Sequence, residues 1–168
     1  RERATKATCA TFQMPIAKTR VARSPKSALL IAHQLCLPVA MKINSPDITH
    51  KTDAGGVLLN VANAQAVREA YHEIIARVKQ YSPEAHIDGI SIQPMIMKPN
   101  GRELMVGVTN DPVFGPVITF GAGGTMVEII GDRSVSLPPL NTFLVKDLIQ
   151  GTYVAKMLGS FRHMPSVN

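Results

Sequence analysis

The sequence predicts an α+β fold of two α/β lobes, and three observations carry that expectation. From residue 12 to about residue 82, short apolar runs of strand character alternate with amphipathic helical stretches. After Pro83 the texture changes to a series of strands and glycine-bearing turns, closed by one more helical stretch. The chain has 168 residues, 45% apolar and 18% charged, which is a globular composition; folding at that length buries roughly 70% of the extended chain's surface. The lobes are set at residues 12–82 and 86–168, and two lobes of this kind form a natural cleft.

Each element has a local reason. Residues 1–11 are polar and carry no clear signal, and Met14–Ala17 and Thr19–Ala22 read as short extended runs. Ser24-Pro25 opens a helix as an N-cap followed by Pro in the first turn. Its apolar positions Leu29, Leu30, Ala32, Leu35 and Cys36 are expected on one side, and Pro38 stops it. Val39–Ile43 reads as a short buried strand with Lys42 near its end, followed by a loop of turn formers through His50-Lys51 to Gly55-Gly56. Val57–Val61 is a second strand. Asn63 caps a helix from Ala64 to about Tyr81, with Val67, Tyr71, Ile74, Ile75 and Val78 as its inward stripe. In the second lobe, Ile87–Met97 and Glu103–Thr109 are expected as a hairpin about Pro99-Asn100-Gly101. Val113–Phe120 is a strand ending in Gly121-Ala122-Gly123-Gly124. Met126–Ile130 and Arg133–Leu137 form a further pair around Gly131-Asp132, and Asn141 caps a last helix to about Leu158.

The net charge of +6 is uneven: residues 1–42 hold eight of the eighteen Lys/Arg and a single acid, Glu2. The remainder is near neutral, with three tyrosines, no tryptophan and no Arg-rich or base-stacking motif, which speaks against nucleic acid as partner. A solvated basic N-terminal surface is the plain reading, and attraction of a small polyanion the intermediate one. No apolar run approaches the roughly 18 residues of a membrane span. Cys9 and Cys36 lack metal-ligand spacing and read as reduced thiols, hence a cytoplasmic protein.

Several segments, in order, resemble the ATP-grasp domain of ADP-forming acyl-CoA synthetases. In the first lobe they are Leu37-Pro38-Val39-Ala40-Met41-Lys42-Ile43, Ser45–Asp53 and Gly55-Gly56-Val57. In the second they are Ile92-Gln93-Pro94-Met95, Gly101–Val108, Asp111–Pro116, Phe120–Gly124, Val127-Glu128 and Leu137-Pro138-Pro139-Leu140. The likeness runs from about residue 12 to residue 165. The same domain occurs in synthetase-like proteins fused to a protein-lysine acetyltransferase, and Leu137–Asn141 and Asp111–Pro116 resemble those as well.

The resemblance assigns roles that the residues alone leave open. Lys42 alone reads rather as a lysine reaching solvent from a strand end; the family likeness makes it, with Ile43 beside it, part of a nucleotide site where the ammonium meets ATP phosphates. His50 alone is a solvated loop histidine; by resemblance it is a transient phosphate carrier, with Lys51 holding phosphate charge. Gln93 and Met95 fall where such domains read the adenine edge, and because Pro94 has no N–H the expected donor is Met95. Glu103, placed in an apolar strand, requires a partner such as a ribose hydroxyl or a cation. Gly121, Gly123 and Gly124 permit an N–H concavity for phosphate, and Glu128 is the acid expected near the triphosphate or phosphohistidine.

The resemblance also implies what lies elsewhere. ATP or ADP would come with Mg2+, whose Asp/Asn ligands in this family lie downstream of the position matching Asn168. The second lobe is therefore expected to be truncated at its C-terminus, and the chain alone to be inactive. The implied partner is the CoA-binding and phosphohistidine domain of the same enzyme. A fused acetyltransferase, with a ligand-sensing role, is the alternative.

Overall fold

The computed structural model describes residues 2–124, 131–160 and 165–167. It divides into residues 1–96 and 97–168. The strand expected at Met126–Ile130 and the candidate acid Glu128 lie outside the described residues.

The first unit holds α1 (Glu2–Thr11), β1 (Arg20–Ala22), α2 (Pro25–Leu35), β2 (Val39–Asn44), β3 (Val57–Val61), α3 (Ala64–Tyr81) and β4 (Gly89–Pro94). Its strands form one antiparallel sheet in the order β1-β4-β2-β3. The pleat sends alternate residues to opposite faces. Val39, Met41 and Ile43 of β2 and Ile90 and Ile92 of β4 are fully buried, packed with Ala28 and Ala32 of α2 and Val67, Ile74 and Val78 of α3. Ala40, Lys42 and Asn44 therefore occupy the other face.

Both helix starts follow from their caps. Ser24 Oγ accepts the Ser27 N–H while Ser27 Oγ accepts the Ser24 N–H, with Pro25 opening the helix. The Asn63 side chain accepts the Ala66 N–H at 2.9 Å. The stripe of α2 differs from expectation: Ala28, Ala32 and Leu35 are buried, whereas Leu30 is 59% exposed and Cys36 lies beyond the helix at φ +62°. The short side chains at i and i+4 let α2 approach the sheet, and the bulkier Leu30 is left outside. Helix α1 went unread because its Ala/Thr sequence shows no apolar stripe.

The second unit holds β5 (Leu104–Asp111), β6 (Gly115–Ala122), β7 (Arg133–Ser136), α4 (Thr142–Gln150) and α5 (Val154–Leu158). Its antiparallel sheet has the order β5-β6-β7. Phe120 packs with Leu148 of α4 and Val154 of α5. The expected hairpin about residues 99–101 is not formed, since β4 pairs with β1 and β2 and β5 pairs with β6. The strand assigned to a lobe starting at residue 86 thus belongs to the first sheet. The last helix is also broken. Asn141 caps it as expected, accepting the Leu144 N–H at 2.9 Å. The Thr152 hydroxyl then turns back onto the Ile149 carbonyl at 2.7 Å, and α5 begins anew beyond it.

Candidate functional site

In the first unit the sheet register gathers several predicted residues on the face away from the helices. Lys42 stands directly opposite Ser91, and Ala40 opposite Gln93, so Lys42 and Gln93 are diagonal neighbours on that face. The strand under Lys42 is further tied by Ser91 Oγ, which donates to the Lys42 carbonyl at 3.2 Å. Ile43, the next residue, has its side chain in the core; what it offers at the site is backbone rather than side chain.

The loop carrying His50 and Lys51 is fastened to the end of the same strand. Ile43 N–H donates to the Gly56 carbonyl at 2.7 Å, and Gly56 N–H donates to the Lys51 carbonyl at 2.7 Å. A methyl group on Gly56 would stand 2.6 Å from Ile43 Cγ2, so only glycine lets the loop come this close. Buried Ile48 and Ala54 anchor the loop on either side, which leaves the His50 side chain exposed. The carboxylate of Asp47 accepts the His86 N–H at 2.7 Å and holds the loop's first half.

At the end of β4 one expectation requires correction. Met95 N–H, the donor foreseen for an adenine edge, donates to the Pro38 carbonyl at 3.0 Å. Gln93 in turn accepts, through Oε1, from Lys6 Nζ at 3.2 Å, and Lys6 also donates to Thr19 Oγ1 at 2.6 Å. Lys6 thus brings a second cation to the Gln93 side chain. Nothing in the polar run of residues 1–11 marked it out. A depression of about 500 Å3 in the same unit is lined by Arg23, Tyr71, Lys79 and His86, none of them a predicted site residue.

In the second unit the structure brings Glu103 to the glycine turn. Glu103 precedes β5 and is exposed, so it needs no buried partner, contrary to expectation. A methyl group on Gly124, whose φ is +85°, would lie 2.6 Å from Glu103 Oε2. Gly123 N–H donates to the Glu103 carbonyl at 2.7 Å and Ala122 N–H to the Asp132 carbonyl at 3.0 Å. These two amides are therefore engaged within the protein and do not form an open cradle. Gly121 passes so close to the Asp132 carbonyl that an added Cβ would be 2.2 Å from its oxygen.

Two residues that sequence reasoning passed over hold this region. Asp132, 6% exposed, accepts the Tyr153 N–H on Oδ1 and the Val154 N–H on Oδ2, each at 2.7 Å. Arg102 Nε donates to the Met157 carbonyl at 3.0 Å. The signal for Asp132 was its position beside Gly131 in a turn, which fits many acids equally. Among the described residues, no group of three or more His, Cys, Asp or Glu side chains is placed to hold a metal ion.

The sequence matches the ATP-grasp domain family across residues 1–168. The chain belongs to the ATP-grasp family. It is 37% identical over 157 residues to the beta subunit of acetate–CoA ligase [ADP-forming] I of Pyrococcus furiosus, a match covering 94% of this chain and 67% of that subunit. Among solved structures, this ATP-grasp chain superposes with a TM-score of 0.88 on the dinucleotide forming acetyl-coenzyme A synthetase 1 of Ca. Korarchaeum cryptofilum in complex with coenzyme A, Ca-AMPCP and HgCl+. The identity is 37%, covering 97% of this chain and 70% of that one. A second structure of that synthetase holds coenzyme A and Mg-AMPPCP, its phosphohistidine segment pointing towards the nucleotide binding site. It matches at 31% identity with a TM-score of 0.74, over 97% of this chain and 68% of that one. These relatives are ADP-forming acid–CoA ligases and acetyl-CoA synthetases, and no finding supports the acetyltransferase alternative. Among the described residues, no helix is long and apolar enough to cross a membrane.

Proposed function

We propose that this ATP-grasp chain binds the adenine nucleotide of an ADP-forming acid–CoA ligase. There ATP, a carboxylic acid and CoA interconvert with acyl-CoA, ADP and phosphate. The observation that carries this reading is that Lys42 and Gln93 share one face of the first sheet, with the His50–Lys51 loop fastened to the end of the strand that carries Lys42. Phosphoryl transfer asks a protein mainly for positioning and charge. A compact ammonium fixed by a sheet suits a triphosphate.

Lys42, assisted by Lys51, balances phosphate charge. His50, exposed on its loop, offers a neutral imidazole nitrogen as nucleophile. That nitrogen forms a bond to the γ-phosphorus as the bond to the β-bridging oxygen breaks, releasing ADP and leaving phosphohistidine. In the onward step the phosphoryl group passes to a histidine on the companion CoA-binding chain or domain. At the adenine edge Met95 contributes its carbonyl, since its N–H is engaged with Pro38. For Gly121, Gly123, Gly124, Glu103 and Glu128 in the second unit, the support for a nucleotide role is the family likeness of the segments that carry them. Mg2+ would neutralise the phosphates, and the family likeness puts its Asp/Asn ligands downstream of the position matching Asn168.

The test is titration of Mg-ADP and Mg-ATP into the chain, followed by calorimetry and by amide shifts. Binding that Lys42→Ala weakens by about tenfold is expected for loss of one charge-assisted contact. For His50, incubation with radiolabelled ATP and the companion phosphohistidine chain should label an acid-labile site absent from His50→Ala. Undiminished labelling of that variant would remove the carrier role.

A further inference from the structure

The second unit contains a closed circuit of hydrogen bonds that no catalytic reading uses. Starting at the glycine turn, Ala122 N–H donates to the Asp132 carbonyl. The Asp132 carboxylate takes the Tyr153 and Val154 N–H groups at the start of α5. At the other end of that five-residue helix the Met157 carbonyl accepts Arg102 Nε–H, and Arg102 also donates to the Asn100 carbonyl. Arg102 is covalently next to Glu103, whose carbonyl accepts Gly123 N–H. The circuit returns to the residue beside Ala122.

Helix α5 is too short to persist by itself, because helices of about one turn do not repay nucleation. Here an acid binds its first N–H groups and a cation one of its last carbonyls, the charge arrangement that a helix dipole favours. The Asp132 carboxylate is nearly buried and its two oxygens each accept one amide, so it is well satisfied where it stands. The same residue's backbone contacts the turn, and Gly121 is glycine because the Asp132 carbonyl leaves no room for a Cβ.

We infer that α5 is a brace that sets the glycine turn, with Asp132 and Arg102 as its positioning residues. Neither needs to touch the nucleotide: Asp132 fixes the Ala122 side of the turn and Arg102 the Gly123 side. The inference rests on the nucleotide-binding reading only for its functional consequence; the structural coupling stands apart from it.

The experiment uses the full chain with Asp132→Asn, Arg102→Met and the control Lys156→Ala, an exposed residue of α5. Asn keeps the shape of Asp but turns a donor toward one of the two amides. Residue-resolved amide hydrogen exchange and Mg-ADP affinity are read together. Asp132→Asn should speed exchange at Ala122 and Gly123, besides Tyr153 and Val154, by about tenfold, and weaken Mg-ADP by a similar factor. Arg102→Met should do the same from the other end, chiefly at Gly123, so the inference stays testable even where the Asp132 variant fails to fold. Lys156→Ala should change neither. Faster exchange confined to Tyr153 and Val154 would reduce Asp132 to a helix cap and overturn the brace. So would a uniform rise reaching Thr109 and Val117 at the far end of β5 and β6. Absence of Mg-ADP binding by the unaltered chain would refute the nucleotide reading, while the exchange pattern would still decide the brace.

Discussion

The two units of this chain keep their candidate residues in place by different means. In the first, Lys42 and Gln93 sit on a four-stranded sheet whose opposite face is sealed by Val39, Met41, Ile43, Ile90 and Ile92 against two helices. In the second, the buried cluster reduces among the described residues to Phe120, Leu148 and Val154. Val106 and Val108 share a sheet face with Phe120, yet are 72% and 69% exposed. Where apolar packing is thin, polar bonds define the shape: the Asp132 carboxylate, the Arg102 guanidinium and the engaged amides of the glycine turn. One unit positions its residues by burial and the other by directed hydrogen bonds, which is a weaker and more local constraint.

Truncations break or sharpen this contrast most strongly. Ile90→Ala, in the sealed core, should cost about 2–5 kcal/mol, whereas Val106→Ala should stay within about 0.5 kcal/mol. Thermal unfolding followed by amide signals from each unit checks both, and equal losses would erase the distinction. Gly121→Ala comes next. Its Cβ would press on the Asp132 carbonyl, a backbone atom that cannot step aside, at a cost on the order of 1–3 kcal/mol. Faster exchange should be confined to the second unit. Asn63→Ala removes the cap of α3 and should lower stability by about 1 kcal/mol, visible in chemical denaturation as a shifted midpoint with unchanged slope.

The smallest effect concerns the turn between β5 and β6. The Asp111 carboxylate accepts the Val113 and Phe114 N–H groups at 2.8 and 3.0 Å, and the Phe114 bond followed by the Val113 bond holds its pKa below the usual 3.8. With the folded value depressed, its contribution is complete above the unfolded pKa and is lost as pH falls through the folded one. The protection of the turn amides, taken relative to each amide's intrinsic exchange rate at the same pH, should therefore be unchanged from neutral pH to about pH 5 and fall below about pH 4. Asp111→Asn should abolish that dependence, and loosening already near neutrality would contradict the assignment.

Much of the first unit was legible because its determinants are local. The period of α3, its Asn63 cap, and the Ser24-Pro25 start are statements about neighbours in sequence, and the structure repeats them. What sequence could not convey was pairing. Ile87–Met97 reads as a strand, but whether it pairs with the strand after it or with β2 is a long-range matter, and the turn formers at residues 99–101 suggested the wrong partner. The break between α4 and α5 has the same origin, since the Asp132 that restarts the helix lies about twenty residues upstream. At the candidate site, Lys42 stood out as a cation on a buried strand. Lys6 did not, because its bond to Gln93 is a tertiary contact made from a helix without an apolar stripe. The glycine turn was visible as composition, but which of its amides are engaged is a property of the fold.

The central claim is that the Lys42 face of the first sheet meets a nucleotide phosphate chain. Titration of Mg-ADP into the isotope-labelled chain tests it most directly. The account predicts saturable shifts at Lys42, Gln93 and the His50–Lys51 loop, all weakened together in Lys42→Ala. Saturable binding that leaves those residues unmoved, or that Lys42→Ala does not weaken, would contradict it.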